Sequence, residues 1–269
     1  MEGQAAFISL GNEQLHYLKW GTGKKLLLAL HGYGNDALLF QAFPAYLQEQ
    51  YTIVALDLPH HGQSKWPLNM PLTAQHIQAL IYQLLQQYQV QQLSILAYSI
   101  GGRMALYIAQ HYPQAIQALV LLAPDGLIFN PFYYFVTRNV IGKVLFRNFL
   151  HHPKPYSKLI WLFRKLHIIT EARYKFGMQY LQTPESRDFL YQVWPGMAGI
   201  VPKQNKLRAA LSKYNIQVHI FSGKYDKVIP LSHAKAFKRN LPHVHIHEVD
   251  KGHRLLDNET VKLIAQCLL

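Results

Sequence analysis

The residue best placed for chemistry in this 269-residue chain is a serine at a turn. Leu93 to Ala97 is an apolar run of the kind that forms a buried parallel strand, and Ile100-Gly-Gly-Arg-Met-Ala-Leu reads as the opening of a helix. Ser99 stands where one passes into the other. A side chain at such a turn projects from the carboxyl edge of a sheet, where α/β proteins place their sites. The turn is tight, so the residues two before and two after the serine must be small, and they are Ala97 and Gly101. A hydroxyl presented there becomes a nucleophile if a base lies within reach. The backbone N–H of Ile100, at the helix start, would point towards an oxyanion formed beside it. The same serine also reads as an ordinary N-cap ahead of a buried helix. Its partners decide between the two readings.

Histidines supply the other reactive groups. His31-Gly-Tyr-Gly-Asn35 closes the apolar run Leu26 to Leu30, and Gly32 and Gly34 allow that loop conformations a side chain would forbid. His31 is expected to brace the loop. His60 and His61 lie in Asp57-Leu-Pro-His-His-Gly-Gln-Ser64 with no third ligand fixed nearby. His243, His245 and His247 alternate and share one strand face, yet such a triplet fixes no coordination geometry and has no evident acid partner. No metal and no cofactor is expected. The single cysteine, Cys267, excludes an intrachain disulfide and suits a reducing compartment. The N-terminus has no basic region followed by an apolar one, so no secretory signal is read and a cytoplasmic location is expected.

Positioning these groups is the task of the remaining elements. Half of the residues are apolar, enough for one large core or a core with an appended lid, and no apolar run is long enough to span a bilayer. Phe7 to Leu10 and Leu15 to Trp20 alternate around Gly11-Asn12, a hairpin signal. A helix is expected over Ala37 to Gln50, then a strand over Tyr51 to Leu56, and Thr73 is placed to cap a glutamine-rich helix running to about Tyr88. Ile116 to Ala123, Ile216 to Ser222 and Val244 to Val249 read as further strands, with helices over Lys203 to Lys213, Leu231 to Asn240 and the C-terminal segment.

From about Leu127 to Val201 the alternation of strand and helix fails. Aromatics crowd there with bases that include Arg138, Lys143, Arg147, Lys158, Arg173 and Lys175; Phe176 adds to the aromatic set, and Leu159, Leu162, Phe163 and Leu166 fall at helical spacing. The net charge of +13 admits an anionic substrate, an acidic membrane surface or nucleic acid as partner. No nucleic-acid motif accompanies the charge, so no nucleic-acid partner is expected.

The turn at Ser99 resembles the nucleophile elbow of the α/β-hydrolase family, with Ala97 in place of the first glycine of Gly-x-Ser-x-Gly. That resemblance implies a mostly parallel central sheet flanked by helices. It also implies a core domain over residues 1–126 and 202–269 and a helical cap over 127–201, inserted after the sixth strand, with some cap aromatics lining an apolar pocket. Gly223-Lys-Tyr-Asp-Lys-Val-Ile-Pro230 matches the family's Gly-x-x-Asp-x-x-x-Pro and implies Asp226 as the triad acid. Lys251-Gly-His253 stands where the family keeps its histidine. Nucleophile, acid and base then come in the family's chain order. The His31-Gly loop implies the backbone N–H of Tyr33 as second oxyanion donor beside Ile100. The Asp57 loop is similar to a scaffold loop of the family, with His60 at the position of a glycine.

The expected activity is therefore hydrolysis of a carboxylic ester or related acyl bond through an acyl-enzyme. A second expectation is a lyase or C–C hydrolase, because Tyr98-Ser-Ile-Gly-Gly-Arg103 also resembles the elbow of a pyruvate-eliminating (SHCHC) synthase of menaquinone biosynthesis. There, arginine at this offset binds a substrate carboxylate. On that basis Arg103 could hold an anionic substrate with an apolar body; the plainer reading pairs it with a nearby acid. Asp125, after the sixth strand, is the rival triad acid. A non-catalytic small-molecule receptor is the third reading. A loose contact of the basic segment with an acidic membrane is the alternative use of its charge.

Overall fold

The computed structural model describes residues 2–166, 171, 174, 178 and 180–269. Of the residues singled out above, Arg173, Lys175 and Phe176 lie outside the described residues, as do the side chains of Lys158, Leu159 and Phe163.

Eight strands form one sheet: β1 (Gln4–Leu10), β2 (Glu13–Trp20), β3 (Lys25–Leu30), β4 (Tyr51–Leu56), β5 (Leu93–Tyr98), β6 (Ile116–Leu122), β7 (Gln217–Gly223) and β8 (Val244–Val249), in the order β1-β2-β4-β3-β5-β6-β7-β8. The hairpin β1–β2 and the β2–β4 pair are antiparallel, and every other pair is parallel. The central strands β3 and β4 are apolar over most of their length because both faces are covered: Leu26 to Leu30 and Ile53 to Leu56 have no more than 1% of their surface exposed. Leu30 pairs with Ala97, Ala97 with Leu121, Leu122 with Phe221 and Phe221 with His247. Parallel strands in such register finish together, so the loops after β3, β5, β7 and β8 leave from one edge.

The helices that matter for the site are α1 (Pro44–Leu47), α2 (Ala74–Gln87) and α3 (Ile100–His111). Thr73 caps α2: its side chain accepts from the backbone of His76, whose ring accepts from the Thr73 N–H. The helix expected over Ala37 to Gln50 is broken into a 3₁₀ turn, Ala37–Phe40, and the single turn of α1. Pro44 is the reason. It has no N–H to donate back to the Phe40 carbonyl, which takes the Phe43 N–H at 3.1 Å instead.

The chain divides into two compact units. One comprises Met1–Pro67, Leu72–Phe129 and Gly199–Leu269; the other comprises Leu68–Pro71 and Asn130–Ala198. Four helices of the second unit are described: α4 (Pro131–Arg138), α5 (Val140–His151), α6 (Pro153–Lys165) and α7 (Pro184–Gly196). Gly142 lets α5 close on α4, since a Cβ there would stand 2.0 Å from the carbonyl oxygen of Phe135. Phe146 stacks on Trp194 at 5.7 Å between ring centres, and the Tyr133 hydroxyl donates to the Trp194 carbonyl at 2.7 Å. Leu68–Pro71 joins this unit through Asn69, whose N–H donates to Gln192 at 2.7 Å. The first unit resumes with α8 (Gln204–Lys213), α9 (Leu231–Lys238) and α10 (Asn258–Gln266). No helix of the described residues is long and apolar enough to cross a membrane.

Candidate active site

Ser99 occupies the turn between β5 and α3 with φ 51° and ψ −115°. Few non-glycine residues hold such a backbone, and the surroundings must impose it. They do so through three backbone bonds. The Ser99 N–H donates to the Leu122 carbonyl at 2.9 Å, and the Ser99 carbonyl accepts from Gly102 at 2.9 Å and Asp125 at 2.8 Å. Gly101 then lets α3 press onto the loop after β3. A Cβ at 101 would stand 2.3 Å from the Leu30 carbonyl oxygen and 2.6 Å from that of His31. The elbow is thereby packed against the loop that carries Tyr33.

His253 reaches this turn from the loop after β8. Its Nε2 lies 3.1 Å from Ser99 Oγ, and its Nδ1 lies 2.8 Å from Asp226 Oδ2. A carboxylate oxygen only accepts, so Nδ1 carries the proton and Nε2 faces the serine as acceptor. The Asp226 side chain has none of its surface exposed. Its other oxygen accepts from the N–H groups of Val228 at 2.8 Å and Ile229 at 2.9 Å, so the buried carboxylate is held at both oxygens. The acid and histidine loops are stitched together by Lys224 N–H to the Val249 carbonyl, 2.8 Å, and Tyr225 N–H to that of Lys251, 2.9 Å. Lys251 secures the start of α10 by contacts to the Thr260 hydroxyl, 2.7 Å, and to Asp257. Tyr98 donates to the His253 carbonyl at 3.3 Å.

Asp125 takes a different partner. Its Oδ2 pairs with the Arg103 guanidinium, while Oδ1 accepts the Gly126 N–H at 2.7 Å. Arg103 is 5% exposed. Its guanidinium is committed inside the fold, which is the plainer of the two roles the sequence offers it, and Asp226 is the acid that meets the histidine.

The loop after β3 turns at Gly32-Tyr-Gly-Asn35, closed by the Asn35 N–H on the Gly32 carbonyl at 3.2 Å, with Gly34 at φ +72°. Both ring nitrogens of His31 work within the scaffold. Nδ1 donates to the Gly32 carbonyl at 2.7 Å, and Nε2 accepts from the Leu58 N–H at 2.9 Å. Burial pushes its imidazole down to about 4. His61 packs edge-on to it, 4.9 Å between ring centres, and is pushed down to about 3 by burial and then by His31. Asp57 anchors the neighbouring loop. One oxygen accepts from Ala37 N–H at 2.7 Å; the other takes the Gln63 N–H at 2.8 Å and the His16 ring at 2.8 Å. His16, buried opposite Asp57, escaped the sequence reading. A histidine in an otherwise alternating β2 was its only signal.

The alternating histidines divide. β8 begins at Val244, so His243 precedes it, while His245 and His247 stack on His219 of β7 at 5.2 and 5.3 Å. Among the described residues, His219, His247 and Cys267 bring one donor atom each to within 4.8 Å of one another. His219 Nδ1 and His247 Nε2 already share a hydrogen bond at 3.0 Å. Cys267 Sγ lies 3.9 Å from the same His247 Nε2.

The sequence matches the alpha/beta hydrolase fold family over residues 25–260. It is 23% identical over 247 residues to the hydrolase YugF of Bacillus subtilis strain 168, covering 91% of this chain and 88% of that protein. It is 25% identical over 234 residues to the dihydrolipoyllysine-residue acetyltransferase component of the acetoin cleaving system of Cupriavidus necator, across 86% of this chain but 59% of the longer relative. A thermophilic esterase from Thermogutta terrifontis has the same fold, with a TM-score of 0.69 at 16% identity, covering 98% of this chain and 96% of that one. With a match running across nearly the whole sequence and this fold beneath it, the chain belongs to the alpha/beta hydrolase fold family.

Proposed function

We propose that the protein hydrolyses carboxylic esters or related acyl substrates through an acyl-enzyme on Ser99. The observation that carries this is the continuous line of contacts from Ser99 Oγ to His253 to a buried, doubly held Asp226. In the first step Ser99 Oγ attacks the acyl carbon and its proton passes to His253 Nε2. Asp226 keeps the imidazole in its tautomer and stabilises the imidazolium. The proton then goes to the leaving alkoxide, which departs as an alcohol. Water, deprotonated by the same Nε2, attacks the acyl-serine and returns the carboxylic acid and free serine. The backbone N–H groups of Tyr33 and Ile100 would hold the oxyanion of both tetrahedral intermediates.

A carboxylate nucleophile is not used, since the elbow residue is serine. The lyase reading needs Arg103 as a carboxylate receptor, and its pairing with Asp125 favours a neutral acyl substrate. Labelling the intact protein with a fluorophosphonate tests the proposal. One phosphonyl adduct on Ser99, with turnover of a short-chain aryl ester, is the expected result. No adduct and no turnover would favour the receptor reading instead.

A further inference from the structure

The helical unit carries apolar surface that its own packing does not use. On α5 the residues turned inward are Gly142, Phe146 and Leu150, spaced four apart along one stripe. The opposite side is apolar as well, and open: Val140 is 77% exposed, Ile141 67% and Val144 64%. Phe132 on α4 is 62% exposed and Trp161 on α6 52%. Exposed aliphatic and aromatic side chains concentrated on adjoining helices mark a surface that meets something other than water. Their companions are cationic. Lys143 and Arg147 lie one turn apart on α5, beside the open apolar arc. Arg138 lies over the Tyr134 ring at 5.8 Å, and Lys165 over the Trp161 ring at 5.3 Å. Between Asp125 and Glu171 the sequence has seven lysines and arginines and not one acidic residue.

We infer that the α4–α6 face docks on an anionic lipid surface. Apolar side chains would enter the boundary between headgroups and acyl chains, with the bases beside them meeting lipid phosphates. At 12 residues α5 is roughly 18 Å long, well short of the ~30 Å hydrocarbon core. It would therefore lie in the interface and not cross it. Charge selects lipid over a second copy of the chain, because two such faces would set unrelieved positive charge against itself. Branched aliphatics exposed on α5 select lipid over nucleic acid, which offers them no apolar partner.

Co-flotation of the full-length protein with vesicles tests this, using phosphatidylcholine alone and phosphatidylcholine mixed with phosphatidylglycerol. Recovery with the anionic vesicles should exceed that with neutral ones by about tenfold or more and fall as salt is raised. Ile141→Ser with Val144→Ser should lower recovery about tenfold with an unchanged melting temperature, as both side chains are exposed. Lys143→Gln with Arg147→Gln should erase the preference for anionic vesicles. Ser99→Ala should float like the unaltered protein, so failure of the ester chemistry leaves this test intact. Equal recovery with both vesicle types, no recovery with either, or flotation unchanged in both double variants would overturn the inference. So would light scattering that shows a dimer dissociated by Ile141→Ser with Val144→Ser, which would give the face to a second copy.

Discussion

Gly223 and Gly252 meet backbone to backbone: a Cβ on Gly223 would stand 2.2 Å from the carbonyl oxygen of Gly252. One glycine lies three residues before Asp226 and the other immediately precedes His253, so this approach governs how near those two side chains come. Gly223→Ala must push the two loops apart. Turnover of an ester should fall about 100-fold, the scale expected when reacting groups are displaced by about 1 Å. Steady-state kinetics on the variant, with circular dichroism to establish that it is folded, would check this.

Ser99→Ala should abolish nearly all turnover, by roughly ten-thousandfold, because the hydroxyl is the attacking atom in the proposed mechanism. Its packing role is small, and the strained backbone at φ 51° tolerates alanine about as well as serine. Retention of a tenth of the activity in the variant would remove Ser99 from the mechanism.

Asp226→Asn and Asp125→Asn should fail in different ways. The first loses the carboxylate that orients His253, and turnover should fall by about four orders of magnitude in a folded protein. The second removes the carboxylate that pairs with the Arg103 guanidinium, whose side chain is 6% exposed. It should cost about 3 kcal/mol of stability, read from denaturant midpoints, with activity per folded molecule changed much less. A crippled, fully stable Asp125→Asn would reverse the assignment of the acid.

Stability should decline on mild acidification, and the sign follows from His31 and His61. Both are held neutral in the fold at pKa values of about 4 and 3, below the ordinary 6.5. From pH 6.5 down to about 4 the unfolded chain takes up protons that the folded chain refuses, so unfolding becomes easier as pH falls. The contribution is complete above 6.5, and its loss levels off once pH passes below the folded values. The effect is on the order of 3 kcal/mol for His31 and about 5 kcal/mol for His61. Urea titrations across this range should show the decline, and His61→Phe should reduce it.

His60 has φ 66° where the resembling family loop has glycine, and Gly62 follows at φ +51° with a Cβ that would stand 2.0 Å from Asp57 Oδ2. His60→Gly should leave the melting temperature level or higher, since relief of strain offsets the added freedom of the unfolded chain. Gly62→Ala should destabilise by about 2 kcal/mol or more, because it displaces the carboxylate that anchors three groups. Thermal melts of the two variants should move in opposite directions or differ by several degrees.

What the sequence determined by itself is local and steric. The apolar runs of β3, β5, β6 and β7 mark buried strands, and the small residues of Ala97-x-Ser99-x-Gly101 suit a tight turn. Those rules act within a few residues and leave their mark in residue type. Pro44 belongs to the same class: its break in the expected 37–50 helix follows from its missing N–H and was legible on the same terms. Which acid meets the histidine was legible only through the family motif around Asp226, because strand order alone leaves Asp125 and Asp226 both following strands and both able to face the same edge. Only the folded chain sends Asp125 to Arg103 and Asp226 to His253, through Gly102 packed on Pro124 and Gly223 packed on Gly252. The same holds for His31, whose tautomer is set by a Leu58 N–H 27 residues away, and for His219, which draws His245 and His247 together while His243 falls outside β8. Choice of partner among distant side chains is decided by which backbones can approach closely enough. That is a property of packing in three dimensions.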